Sequence, residues 1–456
     1  MDDSQRPDTT DRLQASTPPL WKQWLPIFVA VAIALPAPAI RVLEATGTVH
    51  FGFQPLVESL IFGVGILAAA TLLTWGAEIA EREMSAGLAL AGLALVAVLP
   101  EYAVDLFFAI EAPHVPMCDP ELLPELVPAD CEDPHPQQLA IANMTGANRL
   151  LVGLAWPAIF LIFFLKTGRK TMTVERSNAM GILFLGAATI YSFSIPLRGH
   201  LSLIDTAVMF SLFGAYLYFT SRQPPETERE LVGPAAAIGN LDRMPRRITI
   251  SVIFVYAAAV IFAAAEPFAE GLVETGEDIG VNSFILVQWV APLASEAPEF
   301  ILAALLALRG RHHAAMTILI ASKVNQWTLL LGSLPLAFAI SGQSLAPMEF
   351  DTRQQEELFL TAGQSLFAVA ILVSLSMSRW EALVLGVLFF TQLAMTALTG
   401  GTVRVYYGIL YMVLAMAVFV RDIPAMPTFF RAAKDTAFNP ESLSEDEHPP
   451  PNDGET

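Results

Sequence analysis

Two glutamates lie inside stretches that are otherwise apolar. Glu299 falls in Pro292-Leu293-Ala294-Ser295-Glu296-Ala297-Pro298-Glu299-Phe300, within the apolar run 281–308, and Glu101 falls in Leu99-Pro100-Glu101-Tyr102, within the apolar run 86–110. Runs of this length can cross a bilayer, where a charge at the centre costs about 2.5–3.5 kcal/mol on insertion scales. Proline beside each acid removes a backbone donor and leaves nearby carbonyls free to coordinate. Both copies read Pro-Glu-aromatic, the pattern expected of two halves of one ion site.

Other polar residues in the apolar runs suit the same chemistry. Asp105 follows Glu101 by four positions and Glu296 precedes Glu299 by three, so each pair shares a helical face. Calcium and sodium take oxygen ligands, which Asn143, Asn148, Ser322, Asn325 and Gln326 can add. Two bases, Arg149 and Lys323, also fall inside apolar spans. Six isolated charges would cost about 15–20 kcal/mol in the membrane, so they must pair or bind ions. Four acids against two bases leave two negative charges, which one divalent cation, two sodium ions or two protons would neutralise. Lys323 reads either as an internal cation in a place an ion would fill, favouring proton coupling among crowded carboxylates, or, like Arg149, as a fixed partner holding helices together. Glu58, Asp205, Glu266 and Glu381 lie near span ends and read as interfacial. His312 and His313 read as part of a solvated basic turn, with pH sensing as the alternative.

The elements that must position these residues follow from composition. The chain has 456 residues, 54% hydrophobic and only 15% charged, with a mean hydropathy of +0.53. A soluble domain would carry about 25% charge, so the expected class is an all-α polytopic membrane protein. About twelve transmembrane helices are predicted, at 24–43, 57–79, 86–110, 138–165, 178–196, 202–220, 248–269, 281–308, 313–340, 357–377, 381–398 and 403–420. Residues 1–22 are expected to be disordered on the cytoplasmic side, and 421–456 to form a disordered acidic tail. The stretch 222–247, with Pro-Pro-Glu and Glu-Arg-Glu, is expected to be a cytoplasmic linker.

With both termini inside, nineteen of the 25 Lys and Arg residues fall on the cytoplasmic side, in accord with the positive-inside rule. Arg41, Arg198, Arg353 and Arg404 fall outside. Cys118 and Cys131 share an outer loop free of Lys and Arg, where a disulfide is the preferred reading and two free thiols the alternative. Ala37-Pro38-Ala39 faintly resembles a cleavage site, but an even span count favours an uncleaved first helix. The net charge of −19 argues against nucleic acid as a partner.

The sequence also repeats. Glu101 and Glu299 are 198 positions apart, and downstream of each a thirteen-residue stretch begins Ile-Ala, at Ile141 and Ile320, and ends at Gly153 and Gly332 after a Leu-Leu pair. Five spans over 54–221 and five over 248–399 would be inverted relative to one another, because five is odd. The helices at 23–45 and 403–420 would be extra, one at each end. Pro-Glu on one helix, then a small and polar helix ending in a Leu-rich glycine stretch, twice over, resembles the two alpha-repeats of the sodium/calcium exchanger (calcium/cation antiporter) superfamily. That resemblance implies Glu101 and Glu299 as the calcium- and sodium-coordinating acids. Of the hydroxyl residues that precede each glutamate in that family, only Ser295 is matched; Ala97, Val98 and Glu296 stand at the other places. Its Gly-Ser-Asn motif is matched loosely by Thr145-Gly146-Ala147-Asn148 and Ser322-Lys323-Val324-Asn325.

The reading is therefore a secondary antiporter of Na+, Ca2+ or H+ in the cell membrane, with the bilayer and small inorganic cations as partners and no cofactor. An enzyme is not expected, since HExxH and Gly-x-Ser-x-Gly are both missing, and no Cys/His pattern suggests zinc or haem. A proton-coupled carrier of an organic solute and a non-transporting membrane scaffold are the alternatives.

Overall fold

A computed structural model of the chain describes residues 20–47, 51–80, 99–116, 134–222, 233–281, 283–399, 401 and 403–438. Cys118 and Cys131, with their expected disulfide, lie outside the described residues, as do 86–98 of the third predicted span.

Nearly every described segment is helical, as long apolar sequences require when lipid cannot satisfy a backbone. Helices α1 (Leu20–Ala34) and α2 (Pro36–Ala45) break at Leu35, where Pro36 cannot continue the hydrogen-bond ladder. Then come α3 (Pro55–Ala80), α4 (Leu99–Glu111) and α5 (Pro136–Leu150), which runs through a π-helical turn at Leu151–Ala155 into α6 (Trp156–Thr167). Strand β1 (Thr171–Thr173), helices α7 (Ala179–Ser192) and α8 (Ser194–Arg198), strand β2 (His200–Leu201) and helix α9 (Leu203–Thr220) follow.

A short helix α10 (Pro234–Gly239) lies within the expected linker and leads to α11 (Arg243–Ile279) and α12 (Ser283–Leu308). Helix α13 (His312–Asn325) passes through a second π-helical turn, Gln326–Leu330, into α14 (Leu331–Ser341). Strand β3 (Met348–Glu349), helix α15 (Thr352–Leu372), strand β4 (Ser376–Ser378), α16 (Arg379–Thr399), α17 (Val403–Arg421) and α18 (Met426–Phe438) complete the described chain. Among the described residues eight helical segments are long and apolar enough to cross a membrane, or nine if α12, bent by 54° between Phe284–Ala297 and Glu299–Leu308, counts as one span. Apolar side chains such as Leu165, Ile190, Leu197, Ile204, Val255 and Phe262 point outward, as lipid-facing residues do.

The expected disordered tail does not extend over 426–438. There α18 buries Phe429, Ala432, Ala433, Thr436 and Ala437 and packs on α7. Their spacing of three and four is an amphipathic stripe, a pattern hidden by reading the tail for charge alone.

Helices from the two halves of the chain pack against each other. Helix α3 lies along α11, α5 crosses α12, and α4 crosses α14. Gly153 backs onto Phe389 of α16, and Gly332 backs onto Met209 and Phe210 of α9. Strand β1 pairs antiparallel with β4, while β2 pairs with β3. Helices α7 and α8 separate β1 from β2 in the chain, and α15 separates β3 from β4, so the two strand pairs sit at opposite ends of the bundle.

Gly146 marks the tightest crossing. A Cβ there would collide with the backbone carbonyl of Gln288 on α12. A Cβ on Gly214 of α9 would meet nothing within 4 Å. We therefore expect Gly146→Ala to lower stability by at least about 1–3 kcal/mol through overpacking. Gly214→Ala should be neutral or stabilise by up to about 1 kcal/mol through helix propensity. Thermal melts of the two detergent-solubilised variants provide the comparison.

Candidate cation site

Four helices converge on the acids. Helix α4 carries Glu101 and Asp105 one turn apart, and α5 carries Asn143 and Asn148. Helix α12 carries Ser295 and Glu296 before its bend and Glu299 after it. Helix α13 carries Ser322, Lys323 and Asn325, with Gln326 opening the π-helical turn. Local sequence explains the placement of α5: the ring of His135 accepts from the Gln137 backbone N–H at 3.2 Å, the Gln138 side chain accepts from the His135 N–H at 3.1 Å, and Pro136 needs no donor at the first turn. The bend in α12 falls at Pro298, where the ladder lacks an N–H.

All four acids are buried. Glu101 and Glu296 lie side by side, from helices in different halves of the chain. Among the described residues neither oxygen of Glu101 meets a hydrogen-bond donor, and Oε2 of Glu296 meets none. Two bare carboxylates in contact repel, so this pair demands a shared proton or a cation between them. Gln326 lies beside Glu296. Asp105 flanks the pair, accepting at Oδ1 from Asn143 Nδ2 at 2.8 Å while its Oδ2 has no partner. Glu299 accepts from the Ser322 hydroxyl. Among the described residues no three His, Cys, Asp or Glu side chains stand close enough together to hold a metal ion as placed.

The remaining candidates divide. Lys323 Nζ donates to Asn148 Oδ1 at 2.7 Å and to the Asn148 backbone oxygen at 3.2 Å. Ser295 turns its hydroxyl back onto its own helix, to the carbonyls of Ala291 and Pro292, both at 3.3 Å. Asn325 accepts from the Tyr102 hydroxyl at 3.3 Å. Arg149 does not join the acids. Its Nη2 pairs with Glu357 Oε2 of α15 at 2.6 Å, its Nε donates to the Thr145 carbonyl at 3.3 Å, and its guanidinium lies 4.9 Å from the Trp289 ring centre. Glu357 also holds Arg404 of α17, with Oε1 2.6 Å from Nε, and Arg404 reaches Glu356 at 3.2 Å.

This second network was not evident from sequence reading, which placed Arg404 in an outer loop and Arg149 among the site charges. Both are buried. A signal was present: Glu357, Thr361, Gln364 and Ser365 make a polar stripe at helical spacing inside an apolar span, and all four are buried. Of the acids near span ends, Asp205 pairs with Arg198 at 2.5 Å, Glu266 with Arg41, and Glu381 with Arg421.

Comparison with known proteins accords with this arrangement. The family model described as sodium/calcium exchanger protein matches residues 56–222 and 249–398. A crystal structure of the H+/Ca2+ exchanger CAX is 36% identical, with 91% of this chain and 99% of that one covered at a TM-score of 0.80. The Ca2+/H+ antiporter protein YfkE is 17% identical, with 86% of this chain and 98% of that one covered at a TM-score of 0.56, a likeness of fold. No curated protein sequence matches the chain.

The geometry separates the two charge networks experimentally. Removing Glu357 strands the buried Arg149 guanidinium and leaves Arg404 only Glu356, so Glu357→Gln should destabilise the protein by about 3–5 kcal/mol. The triple replacement of Arg149, Glu357 and Arg404 by Met, Leu and Met should recover much of that loss. Thermal unfolding of the solubilised variants checks both expectations.

Proposed function

Because the chain belongs to the sodium/calcium exchanger family, we propose that it is a secondary antiporter exchanging calcium for protons by alternating access at the site built from Glu101, Glu296, Glu299 and Asp105. The observation that carries this reading is the closeness of Glu101 and Glu296, with no donor to Glu101 among the described residues. A proton or a calcium ion can occupy that position, and each excludes the other. Similarity over nearly the whole chain to a protein named as an H+/Ca2+ exchanger supports these two ions over sodium.

The ten central helical segments form two five-helix repeats of opposite orientation, with a further helix at each end. The crossed pairing of β1 with β4 and β2 with β3, at opposite ends of the bundle, supports that inversion, as do Gly153 and Gly332 backing onto α16 and α9. The bent helix α12 carries Glu296 and Glu299 on separate halves, so flexing at Pro298 draws Glu299 toward the pair when calcium enters. The basic residues orient both termini toward the cytoplasm, and the cell membrane is the site of action.

Reconstituted vesicles test the reading. An imposed pH gradient should drive radioactive calcium against its own gradient. Glu101→Gln, Glu296→Gln and Glu299→Gln should each slow uptake at least about tenfold, because ligand charge sets calcium affinity. Calcium needs deprotonated ligands, so its apparent affinity should fall as the pH on the binding side falls. Calcium movement that ignores the pH gradient would overturn the proposal.

A further inference from the structure

Lys323 is fully buried, yet no carboxylate among the described residues forms an ion pair with it. Its ammonium is held instead by the side-chain oxygen of Asn148 at 2.7 Å, the Asn148 backbone oxygen at 3.2 Å and the face of Trp327, whose ring centre is 4.8 Å away. Neutral oxygens and an aromatic face are the surroundings that a bare monovalent cation takes from a protein. Glu101 is the acid within electrostatic reach. Arg149, the next residue after Asn148 on α5, differs: its charge is answered by Glu357 in the separate network.

We infer that Lys323 is a built-in monovalent cation of the transport site, one that fills the place of a sodium or potassium ion and thereby excludes sodium from the cycle. This inference rests on the antiport reading above. With Arg149 assigned elsewhere, four site acids face one ammonium and leave three negative charges when all are ionised. One calcium ion and one proton bring that total to neutrality, with no monovalent metal ion required. The ammonium cannot leave with the cargo, so it fixes the charge balance of every turnover. Removing the side chain would leave a hole lined by the two Asn148 oxygens and the Trp327 ring, open to a small cation from solution.

Flux in reconstituted vesicles, with choline as the only background cation, gives the test. Wild-type calcium uptake driven by a pH gradient should be unchanged when sodium, potassium or methylammonium is added. Lys323→Ala should lose about tenfold or more in choline, as removal of one member of a buried charge set does, and recover when sodium or methylammonium is supplied. Lys323→Arg should keep the wild-type indifference. The inference is overturned if wild-type uptake depends on sodium, if Lys323→Ala matches wild type in choline, or if Lys323→Ala still binds calcium but no monovalent cation restores uptake. Should Lys323→Ala not fold, Lys323→Gln replaces it, and the wild-type sodium measurement decides without any variant. A wild type that takes up no calcium under a pH gradient removes the antiport reading instead. Calcium binding by the solubilised protein, in choline against sodium, then still tests Lys323.

Discussion

A carboxylate sealed away from water must find a donor, a proton or a cation, because its desolvation cost otherwise exceeds what any helix contact returns. The structure is arranged around that requirement. Asp105 has an amide from Asn143 and Glu299 has a hydroxyl from Ser322. Glu101 has neither, and faces Glu296 across the junction between the halves. This unmet demand gives a mobile cation or proton a reason to enter the membrane interior.

Closing the helices around these acids needs backbones nearer than ordinary side chains allow. Gly146 supplies that closeness where α5 crosses α12, on the stretch of α5 that also carries Asn143, Asn148 and Arg149. The π-helical turns at Leu151–Ala155 and Gln326–Leu330 fall just beyond the polar ends of α5 and α13 in both halves. One extra residue in a turn rotates the rest of the helix, so polar residues before it can face the site while Leu-rich residues after it face their neighbours. Gly153 and Gly332 then seat those later turns against α16 and α9.

Much of the site was legible in the sequence because lipid makes charge conspicuous. Glu101, Glu296, Glu299 and Asp105 could be singled out from their apolar surroundings alone, and the Asn and Ser residues from their place on the next spans. Their division of labour was not legible. Whether Ser295 faces the acids or its own helix depends on side-chain rotation, and it turns inward to Ala291 and Pro292. Whether Glu299 or Glu296 meets Glu101 depends on the bend at Pro298, and it is Glu296 that does. Arg404 and Glu357 escaped notice because charged residues at the edge of an apolar span ordinarily reach water, whereas these two point along the bundle and find each other.

Asn148 and Arg149 are consecutive on α5 and serve different networks. Asn148 holds the ammonium beside the acids, while Arg149 binds Glu357, which binds Arg404 on a helix beyond the residues matched by the family model. Gly363 of α15 lies against the Gly408 backbone of α17, so those two helices also touch at close range. Parting α5 from α15 and α17 would separate buried opposite charges at a cost of about 3–5 kcal/mol for each broken pair. Among the described residues, flexing α12 at Pro298 breaks no such pair. Parting α5 from α15 and α17 is therefore the costlier rearrangement, and flexing α12 at Pro298 the cheaper one.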